Sequence, residues 1–220
     1  MHTHITPCSK CAPMTARELV DSLVAGGFQG CVLTNHFFHG NSGIDRELSW
    51  EQFVAEYEKN FVECKELAQE YDLDIIFGVE EHISGGLEIL CYGITPQFLY
   101  DHPELKTEHS IETWSNALRD FGAICVQAHP FRERGYISNP GLLPIEYIDG
   151  IEVFNACNKP EENETAELVA KEYPEWILVS GADTHLPASV CWAGIATSER
   201  ITDSNTLAKI LKSRNYELIR

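Results

Sequence analysis

At 220 residues the chain suits one domain, 1–220, or a core with an insertion, and it is long enough to bury a substantial apolar interior. With 44% hydrophobic and 23% charged residues it has a globular composition, and no run approaches the roughly 18 uninterrupted apolar residues of a membrane span. Thirty-four acidic residues against 16 basic give a net charge of -18, which opposes neutralising many phosphates along a duplex; no duplex nucleic acid and no membrane are expected as partners.

The chain opens on His2, Thr3 and His4, followed by Thr6 and Pro7, without the basic segment and apolar core of a secretory signal, so the expected compartment is the cytoplasm. Thr15 with Glu18 has the form of a capping box, and Leu19, Val20, Leu23 and Val24 make one helical face that ends at Gly26-Gly27. A strand is predicted over 30–34. Ser49 with Gln52 opens the longest helix, whose apolar residues recur near the helical period to about Tyr71. Strands follow at 74–80 and 87–92, joined through Ser84-Gly85-Gly86 as a hairpin or an adjacent pair. A helix over 110–121, stopped by Gly122, feeds the apolar run 123–128, as in a strand buried on both faces. The remaining predictions are strands at 148–154, 176–181 and 194–197 and helices at 160–173 and 203–213. Strand and helix alternating about seven times favour a parallel α/β barrel over an open sheet.

Eight cysteines suggest four disulfides at first sight, yet Cys31, Cys91, Cys125 and Cys157 lie in or beside apolar runs, and in a reducing cytosol all are expected to be free. Cys8 and Cys11 have the spacing of a redox pair without the strand-then-helix setting that chemistry needs.

The informative polar residues fall where the apolar runs end. His36 follows Val32-Leu33-Thr34, Glu80 follows 75–79, His129 follows Ile124-Cys125-Val126, and Asp183 follows Ile177-Leu178-Val179. That is the face on which such barrels carry their chemistry. His2 and His4, two residues apart in extended chain, point to one side, as chelation of a single ion requires. Imidazoles and carboxylates gathered from strand ends are the ligands of zinc, iron or manganese.

In order, these motifs resemble those of the PHP (polymerase and histidinol phosphatase) metal-dependent phosphoesterases. The family's opening His-x-His is similar to His2 and His4, its strand-end His to His36, its Gly-x-Glu to Gly78-Val79-Glu80, its His-Pro to His129-Pro130, and its Gly-Ser-Asp-x-His to Gly181-Ala182-Asp183-Thr184-His185. Glu152 to Asn155 is similar to the run before the family's last helices, and the resemblance extends from residue 2 to about 197. It implies a distorted (β/α)7 TIM-like barrel holding two or three divalent ions, zinc, manganese or iron. One ion takes His2, His4, Glu80 and Asp183 by this resemblance, and a second shares Glu80 and adds His129 and Glu88. Many members have His where Glu88 stands, and the change from nitrogen to oxygen favours a harder ion such as manganese. A third ion takes His36, His185 and one group from the loop after His4, where this chain offers Cys8, Ser9, Lys10 and Cys11. A thiolate from Cys8 or Cys11 there favours zinc. Asn35 stands where the family commonly has Asp and removes a nearby negative charge.

Closely spaced divalent ions lower the pKa of a bridging water and neutralise phosphoryl oxygens during displacement. His129 and Asp183 are therefore expected to serve catalysis as well as ligation, with Arg132 or Arg134 as the phosphate clamp and Lys159 and Asn155 as weaker candidates. His36 or His185 is the candidate general acid if the third ion is missing. The expected substrate is a small phosphomonoester, histidinol-phosphate-like or a nucleotide; phosphodiester cleavage of nucleotides or short oligonucleotides is the runner-up, and a non-catalytic metal-binding regulatory domain the reading outside enzymes. The long connection 37–47 is expected to overhang the site. No motif speaks for His39, His82, His102 or His109, and strand alternation selects Glu80 over Glu81.

Overall fold

Four of the described α-helices begin where a short polar side chain satisfies a free N–H group. In the computed structural model, which describes residues 1–190 and 193–220, Thr15 and Glu18 form a reciprocal capping box at α1 (Ala16–Ala25). Strand β1 (Gly30–Leu33) follows, and Ser49 and Gln52 cap α2 (Trp50–Ala68) in the same way. Next come β2 (Asp74–Phe77), β3 (Val79–Ser84), β4 (Leu87–Tyr92), the short α3 (Pro96–Asp101) and α4 (Ile111–Phe121), which Ser110 opens and a left-handed Gly122 closes. The second half runs β5 (Ile124–Gln127), β6 (Gly150–Asn155), α5 (Pro160–Ala170), β7 (Ile177–Gly181), β8 (Gly194–Ala196), α6 (Ser204–Ser213) and β9 (Glu217–Ile219).

The strands are mixed in direction. β1 and β2 pair in parallel, β3 to β7 form a five-stranded sheet in chain order, and β8 pairs antiparallel with β9. Within the larger sheet β4 runs antiparallel to both β3 and β5, while β5, β6 and β7 are parallel. The expected all-parallel arrangement is therefore corrected at β4. Its cause is the turn at Gly85 (φ 58°) and Gly86 (φ 88°), far shorter than the dozen or so residues a parallel crossover needs. The strand predicted over 74–80 is two strands broken at Gly78, and α3 and β9 escaped prediction.

Single bridges link the sheets. Thr3 is bridged to Thr184 just beyond β7, and His36 to Glu80 on β3. Backbone hydrogen bonds run from Thr34 N to Thr3 O (3.0 Å), from Gly78 N to Leu33 O (3.0 Å) and from His4 N to Thr184 O (2.9 Å). The segments bearing His2, His4, His36, Glu80 and Asp183 are thereby held side by side.

Alternate strand residues feed two apolar layers. Leu90 and Tyr92 of β4 join Val32, Ile76, Val126 and Val179, with Leu207 and Leu211 of α6. Ile89 and Cys91 join Phe77, Cys125, Ile151 and Val153 under α2 and α4. Phe37, next to His36, is fully buried and meets Trp50, Phe53, Tyr57 and Trp114 edge-to-face at 5.0–6.1 Å between ring centres, which fixes the backbone that carries His36.

The described cysteines are free, and Cys191 lies outside the described residues. Cys31, Cys91 and Cys125 are buried, and burial pushes the Cys31 thiol up to about 12; Cys157 is instead exposed. Among the described residues no helix is long and apolar enough to cross a membrane.

Gly181 closes β7 against the site. A Cβ there lies 2.1 Å from Glu152 Oε1 and 2.6 Å from the Cβ of His2, both in the buried interior. Gly181→Ala is expected to destabilise the fold by about 2–3 kcal/mol through overpacking, read as a lower urea midpoint with an unchanged slope.

Candidate metal centre

Eight side chains from the N-terminal segment, from two strands and from the stretches that follow three others meet at one mouth. His2 and His4 arrive on the N-terminal segment, His36 after β1, Glu80 on β3, Glu88 on β4, His129 after β5, and Asp183 and His185 after β7. Glu80 is at the middle. Its Oε1 lies 3.0 Å from His2 Nε2 and 3.3 Å from His129 Nε2, and its Oε2 lies 3.2 Å from His4 Nε2 and 2.9 Å from His36 Nδ1. Asp183 Oδ1 is 3.5 Å from His2 Nε2 and 3.2 Å from His4 Nε2, while Glu88 reaches His129 (3.4 Å) and His36 (3.6 Å). Glu88 arrives at this face because β4 is reversed: the start of an antiparallel strand lies beside the ends of its parallel neighbours.

The nitrogens are oriented from behind. His2 Nδ1 donates to Glu152 Oε1 (3.0 Å), since a carboxylate only accepts. Ser9 Oγ donates to Asn35 Oδ1 (3.0 Å) and therefore accepts from His4 Nδ1 (3.1 Å) and from His36 N (3.0 Å). His185 Nδ1 donates to the Asp183 carbonyl (2.7 Å). Each contact keeps a proton on the far nitrogen and aims Nε2 of His2, His4 and His185 inward, the atom that would meet a cation as a lone pair. His2 Nε2, His4 Nε2, His36 Nδ1 and Glu80 Oε2 are buried and lack any partner in hydrogen-bond geometry, short as their mutual distances are. Four orphaned polar atoms aimed at one another are costly unless a cation lies between them.

Sets of three ligand atoms within 4.8 Å of one another are formed by His2, His4 and Glu80; by His2, His129 and Asp183; by His36, Glu80 and Glu88; and by His4, His36 and His185. Burial disfavours charge on Glu80, yet His2 and His36 with the His129 hydrogen bond hold its carboxyl well below the usual range. Burial likewise opposes the charge of Asp183, and His2, His4 and Arg132 overcome it. Glu88 is pushed up to about 7, first by burial and then by Glu80. Burial favours neutral His2, but Glu80, Glu152 and Asp183 raise it well above its ordinary value.

The backbone is strained at two of these positions: His129 has φ 27° and Asp183 φ 51°, a region that costs a non-glycine residue about 1–3 kcal/mol. Glu152 fixes the first of them by accepting from His129 N (3.0 Å), and also accepts from Asn155 Nδ2 (2.8 Å).

A cavity of about 530 Å³ opens over the cluster, lined by Cys11, His36, Glu80, Glu88, His129, Arg132, Asp183 and His185 with His39, Gly40, Asn41, His82, Gly86 and Tyr136. The connection 37–47 supplies three of those lining residues, and Arg46 staples it by donating to the carbonyls of Phe38 (2.6 Å) and Gly40. Cys8 points into the core, with its thiol against the Tyr57 carbonyl, whereas Cys11 Sγ is 3.1 Å from His185 Nε2. Burial raises the Cys11 thiol, but the neighbouring His185 and His36 imidazoles bring it down to about 6. Asn35 bridges Ile5 N, Ser9 and Asn60, a scaffold role behind the histidines.

The two arginines part company. Arg132 is buried, lines the cavity, and places Nη2 2.7 Å from Asp183 Oδ2 and 2.9 Å from Asn155 Oδ1. Arg134 is turned to Glu162 (2.8 Å) and the Cys157 carbonyl and is not among the lining residues. Lys159 sits at the start of α5, 4.0 Å from Glu162. Glu162 accepts from Glu133 N and Lys159 N; burial raises its carboxyl, and these bonds with Arg134 bring it below the ordinary value. Its stabilising effect is therefore complete above the unfolded carboxylate range near pH ~4.3 and is lost as pH falls through the depressed folded value. Glu162→Gln is expected to cost about 2 kcal/mol at neutral pH, with the difference from wild type shrinking in denaturation series run toward acid.

Sequence reasoning gave no role to Asn60, named Glu152 only within the run 152–155, and offered Ser9 only as a loop group for a third ion rather than as a support behind the histidines. A charged residue inside the apolar strand 150–154 was the available signal for Glu152.

No family model matches the chain. No curated protein matches it either. Solved structures do share its fold. A candidate metal-dependent phosphoesterase from Bifidobacterium adolescentis is 15% identical with a TM-score of 0.54, covering 96% of this chain and 94% of its own. A two-domain protein containing a predicted PHP-like metal-dependent phosphoesterase, from Bacteroides vulgatus, is 14% identical with a TM-score of 0.67 over 99% of this chain and 62% of its own. The lesion-specific endonuclease EndoQ of Pyrococcus furiosus is 11% identical with a TM-score of 0.61, over 99% and 56%. The chain thus has the fold of the PHP-like phosphoesterases, and it spans little more than half of the latter two proteins.

Proposed function

We propose that this chain is a metal-dependent phosphoesterase acting on a small phosphomonoester, with His2, His4, His36, Glu80, Glu88, His129, Asp183 and His185 as ligands of two or three divalent cations. The observation that carries this reading is the convergence of four buried, unpartnered ligand atoms, His2 Nε2, His4 Nε2, His36 Nδ1 and Glu80 Oε2. Mixed imidazole and carboxylate donors suit zinc, manganese or iron. The single bridges at Thr3 and His36 support reading the strands as one distorted seven-stranded barrel.

The chemistry that divalent cations supply in such a set is polarisation of phosphoryl oxygens and a lowered pKa for water. The chain's own residues do the rest. Arg132 offers a fixed guanidinium at the cavity wall for the substrate phosphate, and its contact to Asp183 holds that carboxylate in place. Glu152 sets the His2 tautomer, and Ser9 sets that of His4. A cavity of about 530 Å³ suits a sugar phosphate, an amino-alcohol phosphate or a single nucleotide better than a polymer, in keeping with the net charge of -18.

The test is a panel of phosphomonoesters, dinucleotides, short oligonucleotides and lesion-bearing duplex DNA, each assayed with Mn²⁺, Zn²⁺, Fe²⁺ or Mg²⁺ beside elemental analysis of the protein. Turnover of monoesters that disappears in His129→Ala supports the proposal. Cleavage of the nucleic acids alone shifts the substrate to phosphodiesters, and bound metal without turnover of any ester overturns the enzyme reading.

A further inference from the structure

Part of the cavity wall serves neither the metal ligands nor Arg132: His39, Gly40, Asn41, His82, Gly86 and Tyr136, none of which carries a carboxylate, an ammonium or a guanidinium. His82 stands two residues beyond Glu80 on β3 and opposite Glu88 on β4, so it shares their face of the sheet about 6–7 Å along the strand from Glu80. The hairpin tip sets its tautomer. Gly86 N donates to His82 Nε2 (3.2 Å), which makes that nitrogen the acceptor and leaves the ring proton on Nδ1, with no hydrogen-bond partner among the described residues. His109 Nε2 donates to the His82 carbonyl, and its imidazole stacks on that of His39 at 3.8 Å and lies 5.8 Å from that of His82. Glu81 Oε1 accepts from both His39 N (2.9 Å) and His82 N (2.8 Å), so the wall is held from behind. Tyr136 flanks Gly86 on the other side. A Cβ on Gly86 would lie 2.6 Å from the Tyr136 carbonyl, and Ser138 N donates to Gly85 O (2.8 Å), which packs the hairpin tip and the loop bearing Tyr136 into one surface. Tyr136 itself stays 59% exposed.

Resting on the phosphoesterase reading above, we infer that this wall is the leaving-group subsite and selects esters whose alcohol carries a flat, uncharged ring with a hydrogen-bond acceptor on its edge. His82 Nδ1–H is the donor for that acceptor, and Tyr136 supplies an aromatic face for the ring. A saturated chain forgoes the stacking, and an ammonium has no lone pair for the donor. The phosphate stays with Arg132 and the inner ligands, so a ring attached through one or two carbons reaches the wall beside His82. His82 and Tyr136 therefore set specificity without touching the bond that breaks.

The experiment titrates the Mn²⁺-loaded chain calorimetrically with 3-pyridylmethyl-, benzyl- and cyclohexylmethylphosphonate, at mildly alkaline pH where the pyridine is uncharged, and measures kcat/KM for the matching phosphate esters. The benzyl compound should bind about threefold to tenfold more tightly than the cyclohexylmethyl one through stacking. The pyridyl compound should gain a further factor of about threefold to tenfold over benzyl through the hydrogen bond. Tyr136→Ala should erase the first step and His82→Phe the second, while His82→Asn, whose carboxamide nitrogen takes the place of Nδ1, should keep part of the second. Metal content and circular dichroism of each variant separate lost recognition from a disturbed centre. Equal affinities and equal kcat/KM across the wild-type series overturn the inference and leave the phosphoesterase standing. Ring selectivity that survives both His82→Phe and Tyr136→Ala also overturns it. Selective binding without turnover of any ester overturns the phosphoesterase reading and keeps the ring subsite, and no binding of any phosphonate overturns both.

Discussion

Glu80→Gln should strip the protein of at least one equivalent of bound metal and lower turnover by roughly 10³-fold or more, the scale of several kcal/mol of charge stabilisation. Among the described residues, Glu80 is the one carboxylate within 3.3 Å of four imidazole nitrogens, those of His2, His4, His36 and His129. The amide keeps the shape but removes the charge, and its NH₂ replaces one of the two oxygens that face those nitrogens. Elemental analysis and kcat at saturating metal check the two halves separately. Metal content and kcat both equal to wild type would remove Glu80 from the centre.

The second large effect is expected one layer back. Glu152→Gln should weaken metal binding by about 10–100-fold, because the His2 tautomer is then no longer imposed by a charged acceptor. Glu152 is fully within the interior, and it also accepts from His129 N and Asn155 Nδ2. Burial works against its charge, and His2 outweighs burial to hold its carboxyl below the ordinary value. Glu152→Ala leaves those donors unpaired and is expected to lower stability by about 3–5 kcal/mol. Competition with a chromophoric chelator measures the first effect and chemical denaturation of the metal-free protein the second. Unchanged affinity in Glu152→Gln would show that His2 needs no support from behind.

What the sequence makes legible is whatever depends on short-range pattern. Thr15 with Glu18 and Ser49 with Gln52 announce two capping boxes, and both form. His36, Glu80, His129 and Asp183 stand out because each ends an apolar run, and the structure gathers them at one mouth. The reversal of β4 was half legible: the Ser84-Gly85-Gly86 turn speaks for a hairpin, but seven-fold alternation pulls toward parallel strands, and alternation carries no direction. Glu152 was visible as a charge in an apolar strand, but its role behind the site emerges only once its partners His2 and His129, 150 and 23 residues away, are in place. Arg132 and Arg134 look equivalent in the sequence. Only the packing of α5, which presents Glu162 to one of them, separates their fates.

The hairpin between β3 and β4 has one more consequence. Its tip, Ser84 to Gly86, stands at the rim, where Gly86 lines the cavity and Gly85 O is held by Ser138 N (2.8 Å). Residues grafted into that tip would reshape the entrance while the ladder from Glu80 to His82 against Glu88 to Leu90 kept its register. The tip is thus an adjustable doorway on a fixed frame, and swapping its length among homologous chains is a direct route to redirecting which molecules gain entry.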